Sequence, residues 1–296
     1  MKMIKHYDFC FIGSGQVVNR LLRESQISRC KSLVVSDQLS NQSHVHKNVN
    51  NVLVLSRKQF IEAKREFTIG TLIISVKTNR WSNVIEFDRL LTSILYCSVS
   101  KVIVLSSGAV YGETAEFVNE DSVVQPLNSY GRQKLVEELK ILKVLERDAQ
   151  IMILRISNVY GDRAFRDFVN CCIESAIAEI PVPVFSQGGL RRDLIFIEDL
   201  TQIIGQLIYL KQNSYLNCLN VSSGIGVSTS MLISQISQIL SIEINQLETP
   251  QPSDVANSSV LNNSKLKDWV PFTFHTLEEG LTAYISSQFP ELCKSR

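Results

Sequence analysis

Short apolar runs alternate with longer amphipathic ones through the first half of the chain. Residues 7–12 read as a buried strand, followed by a helix over about 16–24 and a second strand at 32–36. Further strands are predicted at 52–55, 71–75, 101–106 and 151–155, with helical periodicity over about 82–97 and 130–145. Continuously apolar strands separated by helices predict an α/β fold, a doubly wound parallel sheet with helices on both faces.

After Arg155 the rhythm changes. A helix is predicted around 165–179, then a Pro181-Val182-Pro183 break, Gly188-Gly189 and a strand at 193–197. A helix from Asp199, a strand near 219–221, a helix from Ser228, a Pro-, Asn- and Ser-rich stretch at 249–264 and a final helix near 277–287 complete the pattern. We expect a first domain over residues 1–156 and a smaller α/β lobe over 157–296, some of whose segments return to the first domain. There is no internal repeat and no low-complexity tail.

A chain of 296 residues with 45% hydrophobic content buries a substantial core. Its formal net charge of +1, from 30 basic and 29 acidic residues, leaves no electrostatic footprint for nucleic acid or an anionic membrane surface. The longest apolar stretches, 151–154 and 203–210, fall short of the roughly 20 residues of a membrane span. The first residues run into a strand without a signal-peptide pattern, so a cytoplasmic protein is expected. The seven cysteines include no C-x-x-C pair and read as buried, reduced thiols. His44 and His46 form an H-x-H within a polar loop that offers no acidic or cysteine partner, so no metal site is expected.

Between the first strand and first helix lies Gly13-Ser14-Gly15, followed by Gln16 and Val17. A glycine turn there lets a backbone approach a pyrophosphate, and the helix N-terminus adds N–H donors. Val18 stands where a third glycine would complete G-x-G-x-x-G. Asp37 follows the second strand, where an acid accepts ribose hydroxyls and repels a 2′-phosphate. NAD(H) is therefore the expected cofactor, with NADP(H) the open alternative. Ser75 at the end of the fourth strand, together with Lys77 and Asn83 beyond it, completes the candidate cofactor contacts.

Tyr130 and Lys134 are four apart and share a face of a helix. A phenol that ionises near pH ~10 in water needs a neighbouring cation to act as acid or base near neutrality. Ser107 ends a predicted strand upstream and supplies a hydroxyl to hold a substrate oxygen.

These residues lie in Ser-Ser-Gly-Ala-Val-Tyr-Gly (106–112) and Tyr-Gly-Arg-Gln-Lys (130–134). With Leu-Arg-Ile-Ser-Asn-Val-Tyr-Gly (154–161), Arg-Asp-Leu-Ile-Phe-Ile-Glu-Asp (192–199) and Asn-Val-Ser-Ser-Gly (220–224), five segments in order resemble the extended short-chain dehydrogenases that act on nucleotide sugars. The resemblance implies a Rossmann domain followed by a nucleotide-sugar lobe. It implies that Tyr130 exchanges the proton, that Lys134 supports it and holds the nicotinamide ribose, and that Ser107 positions the sugar oxygen. Asn158 and Arg192 would contact the substrate diphosphate, which suits the fork of donors on arginine. Homodimerisation through the helices at 82–97 and 130–145 is also implied.

The family's sugar-nucleotide dehydratases carry Asp-Glu after the serine, whereas this chain has Gly108-Ala109, so dehydration is not expected. The expected reaction is reduction of the 4-keto group of a nucleotide-linked (dTDP or UDP) 4-keto-6-deoxyhexose for surface polysaccharide, with a 4-epimerase retaining NAD as the close alternative. A non-catalytic dinucleotide sensor is the more distant one.

Overall fold

A computed structural model describes residues 4–24, 26–37, 51–63, 67–76, 84–113, 117–146, 149–211, 216–256 and 258–293. The chain begins β1 (Lys5–Ile12), α1 (Gln16–Leu21), β2 (Ser32–Val35), β3 (Val52–Leu55), α2 (Arg57–Ala63), β4 (Phe67–Ile74), α3 (Val84–Ile94), β5 (Ser98–Ser107), α4 (Ser129–Leu145) and β6 (Gln150–Ile156). It continues β7 (Asn158–Tyr160), α5 (Phe168–Ala178), β8 (Val182–Val184), β9 (Arg191–Phe196), α6 (Ile197–Tyr209), β10 (Leu216–Val221), β11 (Gly226–Ser228) and α7 (Thr229–Leu240). The remaining elements are β12 (Gln246–Glu248), β13 (Ser258–Ser259), α8 (Ser264–Trp269), α9 (Leu277–Gln288) and α10 (Pro290–Cys293).

Seven strands form one sheet in the order β10-β6-β5-β4-β1-β2-β3. β1 pairs in parallel with β2 on one side and β4 on the other, Ile12 lying beside both Val35 and Ile74. The chain thus winds outward to β3 and then crosses back to β4. That reversal at β1 and β4 is the switch point at which open α/β sheets bind ligands, beyond the carboxyl ends of the strands. The apolar runs supply the core, with Phe11, Leu33, Ile69, Leu72, Val102 and Ile151 fully buried. Cys10, Cys97 and Cys172 are also buried.

Several elements differ from the sequence expectation. The short helix α2 was not anticipated, because its residues are mostly polar and only Phe60 is buried. β4 starts at Phe67, earlier than predicted, since Thr68 and Gly70 dilute its apolar run. The strand expected near 219–221 begins at Leu216 and forms the edge of the seven-stranded sheet.

The chain separates into two compact units: Met1–Ser107, Gln133–Arg155 and Ile203–Leu219 form the first, and Gly108–Arg132, Ile156–Gln202 and Asn220–Arg296 the second. In the second unit β9 lies at the centre of a small sheet, antiparallel to β11 and parallel to β7 and β13. Its core gathers Tyr160, Ile173, Phe196, Ile236, Leu281 and Phe289. Side-chain caps start its helices: Asp167 accepts from the Asn170 N–H at α5, and Thr276 and Glu279 form a capping box at α9. Among the described residues no helix is long and apolar enough to cross a membrane.

Candidate active site

The turn after β1 is fixed by close backbone approach. Gly13 adopts φ +106°, and a β-carbon there would lie 2.0 Å from the Ser75 carbonyl oxygen, just past β4. The Ser75 N–H in turn donates to the Ile12 carbonyl at 2.9 Å. Gly15 sets a different condition. It precedes α1 with φ −71°, and nothing lies within 4 Å of the position its β-carbon would take. Packing within the protein does not demand glycine there, whereas the close approach of a pyrophosphate to the start of a helix does. The residues present therefore fit a dinucleotide. Gln16 and Val17 form the first turn of α1 and are half-buried, while Val18 is fully buried in the core.

Past β2, Ser36 shares a 2.7 Å hydroxyl–hydroxyl hydrogen bond with Ser14 of the glycine turn. Asp37 follows it and is held by Arg57 at the start of α2. The Arg57 backbone N–H donates to Oδ1 at 2.8 Å, the guanidinium Nε bonds Oδ2, and the guanidinium also meets Glu86 at 3.1 Å. A carboxylate has about four lone-pair sites, so Asp37 keeps capacity for ribose hydroxyls. The candidates Lys77 and Asn83, and the H-x-H of His44 and His46, lie outside the described residues.

Ser107 closes β5 and is half-buried. The chain then makes a tight 3-10 turn through Gly108–Val110. The buried Tyr111 hydroxyl donates to Asn220 Oδ1 at 2.8 Å, and the Asn220 amide donates to the Val118 and Asn262 carbonyls at 2.9 and 3.1 Å. This knot joins two of the segments singled out in the sequence. Tyr130 is the second residue of α4 and is 38% exposed. The first turn of α4 packs closely, since a β-carbon on Gly131 would lie 2.3 Å from the Ala109 carbonyl oxygen.

One helical turn on, Lys134 is only 5% exposed. Its ammonium donates to the Val76 and Leu105 carbonyls at 3.0 Å each and to Glu137 Oε2 at 2.9 Å. Leu105 lies in β5, two residues before Ser107, so these bonds tie α4 to the strand end that carries the serine. Beyond it, Glu138 bonds the Ser106 hydroxyl and pairs with Arg155 of β6 at 3.0 Å. The sequence reading overlooked Glu137 and Glu138, although an acid three or four residues after a helical lysine is a visible signal.

In the second unit, β7 and β9 bring Asn158 and Arg192 into one sheet, Asn158 lying opposite Leu194. The Asn158 amide donates to the Asp193 carbonyl at 3.1 Å, and Arg192 donates to the carbonyls of Arg191 and Ala256 at 2.8 and 2.7 Å. Burial lowers the pKa of the guanidinium, with Glu113 opposing. Directly after Arg192 in sequence, the carboxylate of Asp193 accepts from the Ser223 hydroxyl at 2.8 Å and from the backbone N–H groups of Ser223, Gly224 and Leu261 at 3.1, 3.2 and 3.3 Å. Burial still pushes this carboxyl up to about 6, its donors pulling the other way.

Comparison with known proteins identifies relatives of the chain. The chain is 27% identical over 221 residues to an uncharacterized UDP-glucose epimerase, YtcB, of Bacillus subtilis, covering 70% of this chain and 67% of that one. It is 28% identical over 196 residues to a dTDP-4-dehydro-6-deoxyglucose reductase of Escherichia coli, covering 64% and 58%. Its fold is similar to that of the UDP-glucuronic acid 4-epimerase of Bacillus cereus in complex with UDP-glucuronic acid and NAD, with a TM-score of 0.83 at 18% identity, spanning 98% of this chain and 100% of that one. Residues 15–215, from the second glycine of the turn to the start of β10, match the NAD dependent epimerase/dehydratase family, and the chain belongs to that family.

Proposed function

We propose that this enzyme carries out oxidoreduction at C4 of a nucleotide-linked sugar, with NAD(H) as cofactor. The observation that carries the reading is the pairing along α4 of an exposed Tyr130 with a buried, three-fold anchored Lys134. NAD, when bound, takes up and returns the hydride. Tyr130 moves the proton of the C4 hydroxyl, the Lys134 charge favours its phenolate, and Ser107 orients the same oxygen. Asn158 and Arg192 bind the diphosphate. Gly108 and Ala109 carry no acid or base, so water is not eliminated from the sugar.

4-Epimerisation, in which the sugar is oxidised and re-reduced without release of cofactor, is the reading to test first. Similarity to YtcB over more of the chain than any reductase match described above supports it. Reduction of a 4-keto-6-deoxyhexose is the second reading, supported by the similarity to the E. coli reductase.

Purified enzyme incubated with UDP-, dTDP- and GDP-linked sugars and their 4-keto forms separates the two. An isomer formed without added cofactor identifies the epimerase. Stoichiometric NADH loss with a gain of two hydrogens identifies the reductase, and no turnover across the panel overturns both.

A further inference from the structure

The side chain of Lys134 has three N–H donors, and all three are engaged within the first unit: two by the Val76 and Leu105 carbonyls, the third by Glu137. Glu137 is 3% exposed, and its other oxygen accepts from the Gln133 amide at 3.1 Å. The cation expected to support the tyrosinate is thus one half of a buried, overall neutral pair. A neutral pair projects a much weaker field along α4 than a bare ammonium would.

Resting on the assignment of Tyr130 and Lys134 to proton transfer, we propose that Glu137 is a positioning residue that balances the Lys134 charge and thereby sets the pH at which Tyr130 exchanges its proton. The neighbouring charges do not duplicate this role. On α4 itself Glu138 is turned to Arg155 of β6 and the Ser106 hydroxyl of β5, a pair balanced within itself. Toward Lys134, β5 and the segment after β4 present backbone carbonyls. With Glu137 neutralised, the positive charge of Lys134 would act on Tyr130 uncompensated. Tyr130 and Glu137 are seven residues apart, about 10 Å along the helix. Removal of a unit charge at that distance, at an effective dielectric of about 20, moves an ionisation by about one pH unit.

The test uses the full chain labelled with carbon-13 at the tyrosine ring, with Tyr130→Phe to assign the resonance. In Glu137→Gln, which keeps an acceptor and removes the charge, the Tyr130 titration midpoint should fall by about one pH unit. The acid limb of the kcat profile in the oxidising direction should move with it, while KM stays within about twofold. Glu137→Asp, which restores the charge, should return the midpoint toward wild type. If Glu137→Gln does not fold, Glu137→Met carries the same expectation. Coincident Tyr130 titrations in wild type and the neutral variant overturn the proposal, even where activity and melting temperature fall. A shifted titration in an enzyme that turns over no nucleotide sugar upholds the charge balance and overturns the substrate assignment instead.

Discussion

The guanidinium of Arg155 lies 3.0 Å from the Glu138 carboxylate, with both side chains withdrawn from solvent. Removing one member strands the other in the interior. Glu138→Ala should therefore cost about 3–5 kcal/mol of folding stability. Replacing both residues, as Glu138→Met with Arg155→Leu, should recover most of that loss. Urea unfolding of the two single variants and the double variant measures it, and additive losses would sink the idea of a coupled pair.

The two glycines of the first turn should separate structure from binding. Gly13→Ala forces a β-carbon onto the Ser75 carbonyl from a positive φ, so it should lower the melting temperature by several degrees. Gly15→Ala meets open space and should leave melting unchanged while weakening NAD affinity by roughly tenfold or more, the expected result of filling a pyrophosphate cradle. Calorimetry for both variants decides; undiminished NAD binding by Gly15→Ala counts against the cofactor site.

Tyr130→Phe removes one exposed hydroxyl and little packing. Turnover should drop by about 10²–10⁴-fold, the worth of a positioned general acid or base, with substrate and NAD affinities within about threefold. Full activity in this variant would rule out the mechanism.

Stability should respond to pH through Asp167, the cap of α5. Burial pushes its carboxyl from an ordinary 3.8 up to about 6, with backbone hydrogen bonds from Asn170 and Val169 opposing. Between about pH 4 and 6 the folded chain then holds a proton that the unfolded chain has released, so this group's contribution falls as pH rises. Asparagine caps equally well and does not titrate. Relative to wild type, Asp167→Asn should gain about 1–2 kcal/mol between pH 4 and 7, allowing for partial exposure. Urea denaturation at the two pH values measures the difference; equal gaps at both would refute the assignment.

Homodimerisation is expected through the helices that present apolar side chains outward, Ile85 on α3 and Val136 and Leu139 on α4, which are 55%, 49% and 57% exposed. Sedimentation at micromolar concentration should show a dimer, and Val136→Arg with Leu139→Arg should convert it to monomer. A monomeric wild type would disprove this.

The parts of the molecule legible in the sequence are those whose physics is local. A strand buried on both faces is a continuous apolar run, and the four-residue spacing of Tyr130 and Lys134 sets them one turn apart on α4. The supporting bonds were not legible because they join distant residues: Arg155 and Glu138 are 17 apart, Arg57 and Asp37 20 apart, and Tyr111 and Asn220 109 apart. Each is a polar side chain whose partner is invisible until tertiary folding brings the two together. α2 was hidden for a related reason, since a helix with one buried residue leaves no periodic trace.

The position of β10 at the end of the sheet has a consequence for biosynthesis. β6 is complete at Ile156, but its outer neighbour does not begin until Leu216. At ordinary translation rates of about 5–20 residues per second, the nascent chain carries β6 with a bare row of backbone donors and acceptors for seconds. The buried ammonium of Lys101 waits longer still, since it is satisfied by the carbonyls of Leu207, Ile208 and Leu210 at 3.4, 2.9 and 2.7 Å. Ribosome stalling or premature termination between β6 and β10 would therefore yield a sticky, chaperone-dependent product.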